Sequence, residues 1–173
     1  IDVGGVAVHA LVRGGGPDVV LIHGASGSLR DFSFSLVDAL APRYRVIALD
    51  RPGMGFTGRV DPAYDAAFSS RAETLPEQAA LMRAAAAALG ARAPIVVGHS
   101  LGGAVALQWA VDGGPSALVL LGAVGMEWPG EISALYRVNG TAPAGGLLVP
   151  PLAALVPDAY VARATGAIFA PDP

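Results

Sequence analysis

Short, continuous apolar runs do most to limit what this chain can fold into. Val19-Val20-Leu21-Ile22 and Arg45-Val46-Ile47-Ala48-Leu49 show no polar alternation, and Ile95-Val96-Val97-Gly98 and Ala117–Leu121 follow the same pattern. A strand without a polar face is covered on both sides, which is the situation of parallel strands flanked by helices. The segments between them fit that role. Phe34–Leu40 reads as a short helix ended by Pro42, and Leu101–Val111 as another. The alanine-rich stretch Pro76–Leu89 has Pro at its start and Gly90 after its end, the usual helix punctuation. Upstream, Val6–Val12 reads as one strand, with Asp2-Val3 as its hairpin partner across Gly4-Gly5. Strands followed by strand–helix alternation predict an α/β domain with a mostly parallel sheet.

The 173 residues suffice for one domain with a real core. Charged residues make up 14% and the hydrophobic class 53%, a balance that excludes disorder. The net charge of −3 comes without a basic cluster, so nucleic acid is not an expected partner. No apolar run reaches the ~18 residues of a membrane span. Cysteine is absent, which removes thiolate chemistry and Cys-based metal sites but leaves the compartment open. The sequence starts at Ile1 inside a strand-like run and stops at Ala170-Pro171-Asp172-Pro173 without a closing element, so it reads as a piece of a longer chain, and a leader or anchor upstream fits that reading.

The chemistry sits after the third apolar run. Gly98-His99-Ser100-Leu101-Gly102 joins a strand to a helix and has the form G-x-S-x-G, the strand–turn–helix nucleophile elbow. A serine hydroxyl is a poor nucleophile at its own pKa, so its placement must supply what its acidity does not. The competing reading is a glycine-rich strand–helix turn without chemistry.

Two further motifs stand at equivalent places: His23-Gly24-Ala25-Ser26 after the first run and Asp50-Arg51-Pro52-Gly53-Met54-Gly55 after the second. With the elbow, and in this order, they resemble the N-terminal core of the α/β-hydrolase superfamily over residues 1–125. The Asp50–Gly55 stretch is most similar to its lid-bearing branch, which includes epoxide hydrolases, haloalkane dehalogenases, C–C bond hydrolases and small carboxylesterases. The resemblance implies that the backbone N–H groups of Ala25 and Leu101 form an oxyanion hole for a tetrahedral intermediate on Ser100. Epoxide hydrolases and haloalkane dehalogenases of this kind carry aspartate at the elbow; Ser100 therefore implies acyl chemistry, with a small to medium apolar carboxylic ester as substrate. Asp50 and its neighbours read as a structural turn. Residues 126–173, rich in proline and apolar pieces such as Tyr160–Phe169, read as the beginning of a helical lid.

A serine nucleophile needs a general base, commonly histidine oriented by a carboxylate. The three histidines are poorly placed: His9 lies in the N-terminal hairpin, His23 within the oxyanion motif, and His99 beside Ser100 but pointing elsewhere. In the family's order the acid and the histidine follow the lid, beyond residue 173. The expectation is therefore an esterase completed by a second polypeptide segment that supplies both. Glu127 is a weaker candidate acid, and Asn139-Gly140-Thr141 matches a glycosylation pattern but reads as a turn. No ligand cluster or nucleotide-binding glycine pattern implies a metal or an organic cofactor. Two alternatives stay open: a non-catalytic ligand-binding or pathway accessory protein of the same fold, and a serine hydrolase acting on C–C or amide bonds.

Overall fold

The computed structural model describes residues 1–65, 71–125, 151, 154–160 and 162–163. The chain divides into two compact units, one of residues 1–65 and 71–128 and another of residues 66–70 and 129–173. The expected lid stretch 126–150, Glu127, Asn139-Gly140-Thr141 and most of Tyr160–Phe169 lie outside the described residues.

The first unit is built on a five-stranded sheet with the spatial order β3-β5-β4-β6-β7. β4 (Asp18–Ile22), β5 (Arg45–Leu49), β6 (Ile95–His99) and β7 (Ala117–Leu121) are parallel, and β3 (Ala10–Arg13) joins antiparallel to β5. This is the expected α/β architecture. From β4 the chain moves to one side for β5 and then to the other for β6, so the order reverses between β4 and β6. In open parallel sheets the crevice outside the carboxyl ends at such a reversal is where ligands bind.

The period of two along each buried strand divides the core between the faces. Val20, Ile22, Ile47, Leu49 and Val96 pack against α3 (Leu75–Ala88) and α4 (Leu101–Val111), where Met82, Ala85, Val105 and Trp109 are buried. Val19, Leu21, Val46, Ala48 and Val97 face Leu29, Phe32 and Val37 of the segment carrying α1 (Arg30–Ser33) and α2 (Leu36–Leu40). Beside α2 this second face opens into an apolar trough of 260 Å³ lined by Leu36, Leu40, Tyr44, Ile95, Val119 and Leu121 among others. Among the described residues β7 pairs only with β6, and Val119, Leu120 and Leu121 are each about two-fifths exposed.

Two local expectations need correction. The single strand expected over Val6–Val12 is broken at Val8-His9. Its first part, β2 (Val6–Ala7), pairs with β1 (Asp2–Val3), and its last part is β3. The break arises because Val8 turns into the core, His9 N–H donates to Thr57 Oγ1, and the His9 carbonyl accepts from Asp50 N–H. The helix expected over Phe34–Leu40 is two short ones, α1 and α2, and Phe34 lies between them, 81% exposed. Phe32 and Val37 are the buried apolar residues of this segment, and no single helical stripe carries both into the sheet.

Candidate active site

Ser100 stands between β6 and α4 with φ 51° and ψ −119°, a conformation that side-chain-bearing residues rarely adopt. Its backbone is held on both sides: the N–H donates to the Leu121 carbonyl at 2.9 Å, and the carbonyl accepts from Gly103 and Val124 N–H. The side chain is half-buried at the head of α4. The glycines around it make the turn possible. A Cβ on Gly98 would strike the backbone of Gly102 and Gly103, and one on Gly102 would strike the carbonyls of Ile22 and His23. The helix start is thereby pressed against the end of β4.

That contact sets the His23–Ala25 stretch beside the serine. A Cβ on Gly24 would lie 3.2 Å from Ser100 Cβ and 3.0 Å from His99 Nδ1. Leu101 is the first residue of α4, where amides have no acceptor within the helix. Among the described residues no acceptor takes up the Ala25 N–H either. The structure therefore brings Ser100, Ala25 and Leu101 into one neighbourhood at the carboxyl ends of adjacent strands.

Two side chains from the end of β5 anchor this loop. Asp50, buried, accepts Leu29 N–H at 2.7 Å on Oδ1, and Phe56 N–H and His9 Nδ1 on Oδ2. Burial pushes the Asp50 carboxyl up, but the Leu29 amide, His9 and the Phe56 amide outweigh it and hold it below the ordinary carboxylate value. Arg51, 2% exposed, donates from Nε to the His23 carbonyl at 2.9 Å, from Nη2 to the Gly24 carbonyl at 2.8 Å, and from Nη1 to Gln78 Oε1 at 2.8 Å. Arg51 is a buried part of this neighbourhood that a structural turn over Asp50–Gly55 does not by itself imply. Its only sequence signal is a charged residue directly after a strand whose carboxyl end faces the crevice.

His23 is fully buried, and both ring nitrogens are engaged. Nε2 accepts Arg51 N–H at 2.9 Å, which leaves Nδ1 to carry the proton and donate to the Gly24 carbonyl. Burial lowers its pKa below the usual histidine value, and the neutral ring fits this pattern. His9 Nδ1 is paired to Asp50 at 2.7 Å, with its ring edge-on to Phe56. The His99 ring lies against Gly24. Among the described residues no histidine is hydrogen-bonded to Ser100, and no cluster of three His, Cys, Asp or Glu side chains could hold a metal.

The sequence profile described as "Alpha/beta hydrolase family" matches residues 19–173. Over 112 residues the chain is 41% identical to the dihydrolipoyllysine-residue acetyltransferase component of the acetoin cleaving system of Cupriavidus necator; the match covers 64% of this chain and 27% of that protein. Over 120 residues it is 32% identical to a fluoroacetate dehalogenase from a Burkholderia species, covering 69% and 38%. A solved α/β hydrolase from Sphaerobacter thermophilus superimposes with a TM-score of 0.57 at 29% identity, covering 67% of this chain and 41% of that one. The chain thus spans well under half the length of these relatives.

Proposed function

Since this chain belongs to the alpha/beta hydrolase family, we propose that it is the nucleophile-bearing part of a serine hydrolase that cleaves small to medium, mainly apolar carboxylic esters. One observation carries the reading: Ser100 sits in a left-handed backbone turn at the head of α4, with Gly24 against its side chain. In this mechanism Ser100 Oγ attacks the acyl carbon and its proton passes to a general base. The Ala25 and Leu101 amides receive the negative charge that develops on the carbonyl oxygen; being fixed, they do so without reorganising. Collapse of the intermediate expels the alcohol, which takes the proton from the base, and water then hydrolyses the acyl ester on Ser100.

The base is a histidine outside residues 1–173, carried with its carboxylate by a further polypeptide segment. Two features support this: His9 and His23 are committed to Asp50 and to the loop, and among the described residues β7 has one unpaired edge beside an apolar trough. Residues 126–173 would begin the lid.

The test is fluorophosphonate labelling of the complete protein. Wild type is expected to take up one label at Ser100, and Ser100→Ala none, with ester turnover down by about a million-fold. Absence of label on Ser100, together with tight binding of an apolar ligand, would establish the alternative of a non-catalytic binding protein.

A further inference from the structure

The peptide unit linking Gly24 to Ala25 has its acceptor end held by a buried cation. In a trans peptide the C=O and the N–H point in opposite directions across one rigid plane. Whatever fixes the Gly24 oxygen therefore also aims the Ala25 N–H. Two donors converge on that oxygen, Arg51 Nη2 at 2.8 Å and His23 Nδ1 at 2.9 Å. The same guanidinium holds the preceding carbonyl, that of His23, through Nε at 2.9 Å.

We propose that Arg51 is a positioning residue for the oxyanion hole: its guanidinium locks and polarises the Gly24–Ala25 peptide so that the Ala25 N–H is presented toward Ser100. The inference rests on the reading of Ala25 as an oxyanion donor. Turning this peptide over would break both bonds to the Gly24 oxygen and leave part of a buried guanidinium unpaired, a costly arrangement. The charge is also directed at the peptide rather than neutralised nearby. None of the ion pairs among the described residues involves Arg51, its third partner is the neutral Gln78 amide, and Glu73 acts on it only from a distance. A cation hydrogen-bonded to a carbonyl draws electron density along the peptide and strengthens the N–H at the other end as a donor. Asp50 already ties the far end of the loop at Leu29, so the work specific to Arg51 falls on the donor peptide.

A merely structural arginine and a positioning one separate in kinetics. In the complete protein, Arg51→Met is expected to lower ester kcat about 100-fold while KM stays within about threefold. Affinity for an aryl trifluoromethyl ketone, whose Ser100 hemiketal places an oxyanion in the hole, should fall by the same factor as kcat/KM. Arg51→Lys keeps the cation but not the planar fork, so it should recover part of both losses. If Arg51→Met does not fold, as judged by circular dichroism, Arg51→Lys decides alone: about a tenfold loss of kcat, matched by the ketone, supports the proposal. Either folded variant with kcat and ketone affinity within about threefold of wild type overturns it, as does a loss confined to KM. Fluorophosphonate labelling of wild type separates the two levels. Without label on Ser100 both readings fall, whereas labelled, active wild type beside indifferent Arg51 variants removes only the role of Arg51.

Discussion

Ser100 holds its backbone where a Cβ is strained, at a cost of order 1–3 kcal/mol. Ser100→Ala and Ser100→Gly both delete the hydroxyl, but only glycine relieves the strain. The glycine variant should be the more stable of the two by about 1 kcal/mol in urea unfolding, after its own larger loss of chain entropy. Gly102 poses the opposite problem. A methyl group there meets rigid carbonyls of Ile22 and His23, so Gly102→Ala should cost about 1–3 kcal/mol and slow labelling of Ser100 as α4 is pushed away from the loop. His23 adds a pH dependence of definite sign. Burial holds its folded pKa below that of the unfolded chain, so the unfolded state takes up the proton first. The His23 contribution is complete above the ordinary value of about 6.5 and is lost as the pH falls below it. Urea midpoints should drop between neutral pH and about pH 5, and less steeply in His23→Gln, whose amide oxygen can still accept Arg51 N–H. The carboxylate of Asp50 acts lower, weakening the fold as the pH falls below about 4.

At the scale of elements, α3 begins with a reciprocal cap. Thr74 Oγ1 accepts Glu77 N–H, while Glu77 Oε2 accepts Thr74 N–H at 2.8 Å. Thr74→Ala should cost about 1 kcal/mol, read as a lower thermal midpoint, because α3 packs on α4 and α4 carries Ser100 at its head. The strands and helices nearest the site were legible in the sequence for local reasons. The runs 19–22 in β4, 46–49 in β5 and 95–97 in β6 are apolar because both faces of the sheet are covered there, and the glycines at 98 and 102 mark a turn that admits no side chain. What escaped the sequence depends on partners far along the chain. The break at His9 is set by Asp50 and Thr57, and the two-helix form of residues 30–40 by which side chains reach the sheet. Arg51 was illegible for the same reason. An arginine after a strand ordinarily ends in solvent, and this one turns inward because three acceptors, on residues 23, 24 and 78, already point at it.

For the molecule as a whole, the reversal between β4 and β6 sets the His23–Ala25 loop and the serine on neighbouring strands tied by one hydrogen-bond ladder. Their relative position is fixed within residues 18–124, by that ladder, by the contact of Gly102 with the end of β4, and by the hydrogen bonds of Ser100 to Leu121 and Val124. Residues 1–173 alone should accordingly bind a hydrophobic dye such as ANS through the trough at Val97, Val119 and Leu121, and the further segment proposed above should quench that signal when added. Dye fluorescence that is absent, or unchanged by the segment, would overturn the proposal that the segment docks on this face. The strand order also fixes a sequence of events at the ribosome. Among the described residues the last strand of the sheet ends at residue 121, so the serine turn and the His23–Ala25 loop can assemble while later residues are still being made. Throughout that interval the outer edge of β7, unpaired among the described residues, competes for any passing strand, and a chaperone that shields it would govern yield without ever touching Ser100.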